Sequence, residues 1–498
     1  CDDPALGIAD RPTVFGGCAD CHAPGIDGPA GGGHSLLEAT GIAAEQGVHC
    51  DVCHKVAAID LEAPAGVGGR LVLGRPSEPG WTGGPEFLPV MYGPRADVLN
   101  PLMRGSLTPV FGEATFCAGC HQLDQAPLWP AMALDSQRWP DGTLPIQSTF
   151  VEWQASINNP GTPCQVCHML GTDAPNGADL DLLVGVEAGI VGGYVRAAGS
   201  VRSHAFEGPS GATATGGVML EDAALLTLDT SAGADLEVTA ELLNLGAGHA
   251  FPTGEPMRSL VLVITASCDG VPMEQSAGSS VTGIGGALAT GTLDAGIQVD
   301  PQDDTTLLWA GLDLPPGAID GLVVRAVRST GEWIDYTGPA PFAEGGFTVA
   351  ERGLAATQPV GEALVVGAAA GSVSLDAALA LQAGDLLFVA DGLALPDSEA
   401  PSRAWAGAPG MDFGKVLVGA DGALNVPHYA AVDVLRDNRI PSFGSAEVAV
   451  AFAWPTGCVQ ATVDARLLYR AWPFDLARER AWAATDLIAA AASATQAR

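Results

Sequence analysis

Positive charge is scarce in this sequence. Lys and Arg number 22 against 57 Asp and Glu, a formal net charge of −35 over 498 residues. Both the first 210 residues and the remainder are acidic on balance. A surface of that sign repels nucleic acid and anionic lipid and attracts basic partners, although acidity also serves plain solubility. No run of about 18 or more apolar residues occurs, so no membrane-spanning helix is expected. Aromatics make up only 6 % of the chain, and 11 Cys are too few for a disulfide-dense scaffold of this length. No signal-peptide pattern is visible. The chain opens on Cys1 with no Met before it, the arrangement of a mature bacterial lipoprotein. That implies a lipid on Cys1, a linker over residues 1–14 and attachment to a membrane, while a chain trimmed at a Cys reads the same way.

What the sequence does have is one short motif, four times over. Eight of the Cys form pairs with two residues between them, and each pair is followed by His. They are Cys18-Ala-Asp-Cys21-His22, Cys50-Asp-Val-Cys53-His54, Cys117-Ala-Gly-Cys120-His121 and Cys164-Gln-Val-Cys167-His168. Two thiols at this spacing add across the two vinyl groups of one haem, and the following imidazole binds the iron. Paired Cys also bind zinc, but zinc does not require a His directly after each pair. A thioredoxin-like redox motif uses one pair, not four. Four haem c groups are therefore expected, with His22, His54, His121 and His168 as proximal ligands. Haem attachment of this kind takes place outside the cytoplasmic membrane, which agrees with the reading of Cys1.

The remaining His are the candidates for the opposite face of each iron. His34 precedes a helix-like stretch inside the haem-dense region. His204 follows the last motif. His249 lies in Asn244-Leu-Gly-Ala-Gly-His-Ala-Phe-Pro-Thr-Gly, where Gly, Pro and Thr imply a preset loop. These three read as distal ligands. His49 directly precedes Cys50, where strain works against reaching an iron, and stands as the alternative distal residue. His428 reads as a surface or loop His. Met103 is open between a ligand, which would raise one haem's potential, and a soft filler against a haem face.

The first part, 15–210, reads as an irregular, mainly α tetrahaem domain of short helices and long loops. Residues 216–472 read as an all-β, sandwich-like domain. Leu236, Val238, Ala240 and Leu242 alternate with polar residues, as do Val459, Ala461, Val463, Ala465, Leu467 and Tyr469. Residues 260–264, 322–327 and 448–452 also suit strands. A large insertion is placed at about 280–440. Cys268 and Cys458, both at ends of strand-like runs, could form one disulfide. Residues 473–498 read as a C-terminal helix, with Pro473 and Asp475 at its start. His249 would lie on a loop of the β domain and reach back to a haem.

Several stretches make residues 15–258 similar to the tetrahaem cytochromes c associated with hydroxylamine oxidation, and to related multihaem cytochromes of metal-reducing bacteria. They are Gly47-Val-His-Cys-Asp-Val-Cys-His-Lys, Met91-Tyr-Gly-Pro-Arg-Ala-Asp, Phe116-Cys-Ala-Gly-Cys-His-Gln, Thr149-Phe-Val-Glu-Trp-Gln-Ala-Ser, Pro163-Cys-Gln-Val-Cys-His-Met and Gly248-His-Ala-Phe-Pro-Thr-Gly. The resemblance implies closely packed haems and distal roles for His34, His204 and His249. Relatives often place a His where this chain has Met103. The expected function is electron transfer between redox partners in a membrane-associated respiratory chain. The partner would be a basic soluble cytochrome or a respiratory complex, and nucleic acid is excluded. The alternatives are an enzyme with one open haem acting on a small nitrogen or sulfur compound, and a haem-wire subunit of a filament or supercomplex.

Overall fold

The computed structural model describes residues 18–24, 36, 39–67, 69–74, 91–96, 105–127, 133–172, 190–191, 194–195, 197, 199–206, 208, 217–314, 319–333 and 355–498. Cys1, the linker over 1–14, His34 and Met103 lie outside the described residues. The chain divides into two compact units, Cys1–Glu207 and Gly208–Arg498.

The first unit holds short helices and small strand pairs. The described helices there run five to seven residues, for example Cys50–His54, Thr115–His121 and Thr149–Gln154. Strand Val56–Ile59 pairs antiparallel with Leu71–Leu73, and Met91–Gly93 pairs parallel with Gly105–Leu107. Its apolar clusters are small. One gathers Val52, Val56, Val67 and Leu71, and another gathers Ala114, Ala118 and Phe150.

The second unit is largely β. One four-stranded sheet runs Ala224–Ala232, Asp235–Asn244, Ser445–Ala453 and Gln275–Gly278. A second follows the order Ala400–Pro401, Thr485–Ala497, Gln460–Arg470, Ser259–Cys268, Gly410–Gly419 and Ala431–Asp437. Alternation along the strands explains the packing. Leu236, Val238, Ala240 and Leu242 from the first sheet meet Leu260, Leu262, Ile264, Val463, Ala465 and Leu467 from the second in one cluster. Val459 falls outside its expected strand and is 74 % exposed. The strand begins at Gln460. Cys268 and Cys458 are joined by a disulfide across 190 positions of sequence.

The segment placed at 280–440 contains a closed barrel of seven strands between residues 289 and 391. Its first strand, Ala289–Leu293, pairs with its last, Leu386–Asp391, which closes the ring. Leu307, Trp309, Val324, Val365, Val373 and Leu387 fill its interior. Residues 400–437 then return as strands of the larger sheet.

The expected C-terminal helix is corrected. A helix spans only Phe474–Glu479, and Thr485–Ala497 is a strand paired with Gln460–Arg470 in antiparallel register. The Ala-rich composition favours a helix, but a buried ion pair and an open strand edge override it. Asp486 stands opposite Arg470 in the register. Arg470 Nε and Nη2 donate to the two carboxylate oxygens at 2.8 Å each. Arg470 Nη1 also reaches the Gly285 carbonyl, while Ser402 Oγ and Trp405 Nε1 donate to Asp486. Both charged residues are buried. Burial pushes the Asp486 carboxyl up. The Arg470 guanidinium and the Ser402 and Trp405 bonds outweigh it, and its pKa lies below the ordinary carboxylate value.

Removing one partner of such a pair leaves a buried charge uncompensated. Asp486→Ala is expected to lower the stability of this unit by about 3–5 kcal/mol in urea unfolding at neutral pH. Because the folded pKa is depressed, the contribution is present above the unfolded-state carboxylate pKa. It fades as pH falls through the folded value. A loss below about 1 kcal/mol at neutral pH would contradict the role given to this pair.

Candidate haem-attachment site

Each of the four motifs forms one turn of helix. These turns are residues 18–22, Cys50–His54, the end of Thr115–His121, and Cys164–His168. Positions i, i+3 and i+4 share a helix face. The two thiols and the imidazole of each motif therefore project together, as attachment to one haem requires. The intervening residues face the other way. Ala19, Val52, Ala118, Gly119 and Gln165 are buried, and the eight motif Cys remain unbridged and partly or fully accessible. The donor set and its one-sided projection fit covalently held haem, which when bound would supply a one-electron redox centre.

A strap between the second and third motifs holds the turns in place. Gly66 N–H donates to the Gly119 carbonyl at 2.8 Å, and Val67 N–H donates to the Asp20 carbonyl at 3.1 Å. Arg70 donates to the carbonyls of Leu61, Ala118 and Gln122. The strap thus hydrogen-bonds the backbone of the first and third motifs. Val67 and Leu71 also pack with Val52 of the second motif and with Cys120. The fourth motif is tied to the loop before the third, where Gln165 Nε2 donates to the carbonyls of Phe111 and Glu113.

The thiols of different motifs perturb one another. In the bare polypeptide the pairing of Cys21 with Cys120, and of Cys117 with Cys164, pushes the Cys120 and Cys117 thiols up and draws Cys21 and Cys164 down. Burial, with Cys50 nearby, pushes Cys53 up to about 11. A thioether sulfur does not titrate, so these shifts belong to the chain before attachment.

His54 shows how a motif ring is oriented. Its Nδ1 lies 2.7 Å from the Tyr92 carbonyl oxygen. A carbonyl only accepts, so Nδ1 carries the hydrogen and Nε2 is the nitrogen left to bind metal. A second bond of this kind fixes the tautomer and raises ligand basicity. Phe111 stacks on the ring at 5.4 Å between centroids, and the His204 ring lies 6.2 Å away. His22, His121 and His204 are exposed, and His168 is half-buried. His49 is buried immediately before the second motif.

His249 belongs to the second unit. Asn244, fully buried, donates to the His249 and Ile440 carbonyls and accepts from Ala247 N–H. The loop is thus pinned from below, and His249 Nδ1 lies 2.9 Å from the Ala250 carbonyl, again leaving Nε2 as the unprotonated nitrogen. In the same loop region Glu255 Oε1 lies 3.0 Å from Nδ1 of His428.

Sequence reasoning singled out the motifs but missed their supports. The Tyr92 carbonyl and the strap were not anticipated. The signals were present in Met91-Tyr-Gly-Pro-Arg and in the Gly inside Cys117-Ala-Gly-Cys120.

The family model described as "Cytochrome c554 and c-prime" matches residues 6–55, a stretch that spans the first two motifs. The match and the four motifs support a multihaem c-type cytochrome. Covalently bound haem c and electron transfer go with that class. No curated protein matches the chain. Among solved structures, a penta-heme cytochrome c552 from Thermochromatium tepidum aligns with a TM-score of 0.47 at 15 % identity, covering 97 % of this chain and 84 % of that one.

Gly66 tests the strap. It has φ +90°, and a Cβ there would lie 2.6–2.7 Å from Asp20 Cβ and the Asp20 backbone. Gly142 has φ +68° with open space around it. Gly66→Ala is expected to cost roughly 2–4 kcal/mol and to lower haem incorporation at the first motif. Gly142→Ala carries only the backbone strain, about 1 kcal/mol. Equal effects of the two variants on haem content and on unfolding midpoint would contradict the close packing assigned to Gly66.

Proposed function

We propose that the protein is a tetrahaem electron carrier, with one haem c at each motif and electrons passing between haems to outside redox partners. The observation that carries this reading is the set of hydrogen bonds that tie the motifs to one another. Gly66 and Val67 bind the backbone of the third and first motifs, and Gln165 ties the fourth to the segment before the third, which brings the attachment points of three haems together within one unit. Haems anchored there would stand edge to edge.

His22, His54, His121 and His168 are the proximal ligands in this reading, and His34, His204 and His249 serve as distal ones. Ring separation favours His204 as the partner of His54. Two imidazoles sharing one metal stand about 6 Å apart between centroids, given metal–nitrogen bonds of about 2.0–2.1 Å. The observed separation is 6.2 Å. Irons with two imidazoles are saturated, which suits transfer over substrate chemistry. A location outside the cytoplasmic membrane agrees with the Cys268–Cys458 bond, since disulfides persist in oxidising compartments.

The charge of −35 favours a basic partner, such as a small soluble cytochrome. The bimolecular rate of electron exchange with a basic cytochrome is therefore expected to fall by about 10-fold or more from low to high ionic strength. Stopped-flow measurement of haem reoxidation reads this directly. A rate that does not change with salt would remove electrostatic steering from the account.

A further inference from the structure

We propose that His49 is an axial ligand to the iron of the haem attached at Cys18 and Cys21, opposite His22; this rests on the tetrahaem reading above. Three observations converge on His49. The residue is only 6 % exposed. Both ring nitrogens are buried without a hydrogen-bond partner among the described residues. It occupies the N-cap position of the helix Cys50–His54 yet makes no capping bond.

None of this suits a packing or capping residue. Caps are supplied by Ser, Thr, Asp or Asn, whose oxygens reach the first backbone N–H groups. An apolar side chain would fill the same space without burying a donor and an acceptor. A neutral imidazole offers one nitrogen lone pair, and a metal is the partner that a cytochrome supplies.

The haem at Cys50 and Cys53 is not the one it serves. His54 and both thioethers of that haem come from a single turn. A residue next to Cys50 is held at the rim of that ring, on the side of His54. The first motif is the neighbour instead. Gly47, two residues upstream at φ +64°, packs so closely on it that a Cβ would meet the His22 carbonyl oxygen at 2.8 Å. The turn leading to His49 thus lies against the end of the first attachment helix.

The assignment completes the ligand count. The chain has 9 His. Four are proximal, and His34, His49, His204 and His249 give each iron a second imidazole. The ninth, His428, bonds Glu255. Met103 is then not needed as a ligand.

The test is low-temperature EPR of the oxidised holoprotein, with haem content fixed by a haemochrome assay. His49→Ala is expected to keep four haems, turn one of them high-spin, and return to low-spin on addition of imidazole. In a Cys18→Ala/Cys21→Ala background, which carries three haems, His49→Ala should add no high-spin signal. A four-haem His49→Ala protein that stays entirely low-spin overturns the proposal, as a buried water on His49 would produce. A high-spin signal that persists in the three-haem background overturns the assignment to the first haem. Should the alanine variant not accumulate, His49→Met gives the same reading. One haem shifted to a His/Met signal and a higher potential supports ligation, and an unchanged spectrum refutes it. A parent protein with fewer than four haems counts against the tetrahaem reading itself and is distinguished by the haemochrome value.

Discussion

The closure of the strap onto the attachment turns is the constraint on which the first unit depends. A helix of five residues has no independent stability, because its few internal hydrogen bonds do not offset the cost of nucleation. The motifs hold their shape because other segments bond to their backbone. Arg70 is the centre of that arrangement, donating to the carbonyls of Leu61, Ala118 and Gln122. Gly66 and Val67 add two backbone bonds to the third and first motifs. Among the described residues the clusters around Val52 and Ala118 are small. Covalently held haem would add fixation and, with its ring, apolar surface.

The second unit is built on a different balance. Its sheets share a large apolar cluster, and buried charges sit in the pairs Arg436–Asp412, Arg439–Asp437 and Arg470–Asp486. Arg470 and Asp486 join two neighbouring strands to the turn at Gly285 and the segment around Trp405. The barrel of residues 289–391 has its own filled interior and leaves the surrounding strands to complete the larger sheet. On this frame the Asn244 carboxamide holds the loop that carries His249. A loop pinned by a buried side chain is stiff.

The legible parts of the sequence were those with a short-range chemical signature. A Cys pair followed by His needs one helical turn and nothing else, so its geometry could be read from spacing. The strand with Leu236, Val238, Ala240 and Leu242 was legible because its inward residues alternate over a buried face. The C-terminal strand was not, because Ala carries helix propensity and no inward pattern stronger than it. Its state is decided by Asp486, whose partner Arg470 lies on the neighbouring strand. The barrel was hidden for a related reason. Its strands are interrupted by bulges and a parallel pair, which blur the period-two pattern. The role of His49 was obscured by its place beside Cys50. Strain there argues against ligation to its own haem but says nothing of a neighbouring one.

The central claim is that four haems sit on these turns with every iron saturated. The most direct test is a low-temperature EPR spectrum of the fully oxidised native protein, read beside a haemochrome count on the same sample. Four haem c per chain with only low-spin signals is the result the account predicts. Four haems with one of them high-spin would contradict it, by showing an iron open to a substrate where a carrier should have none.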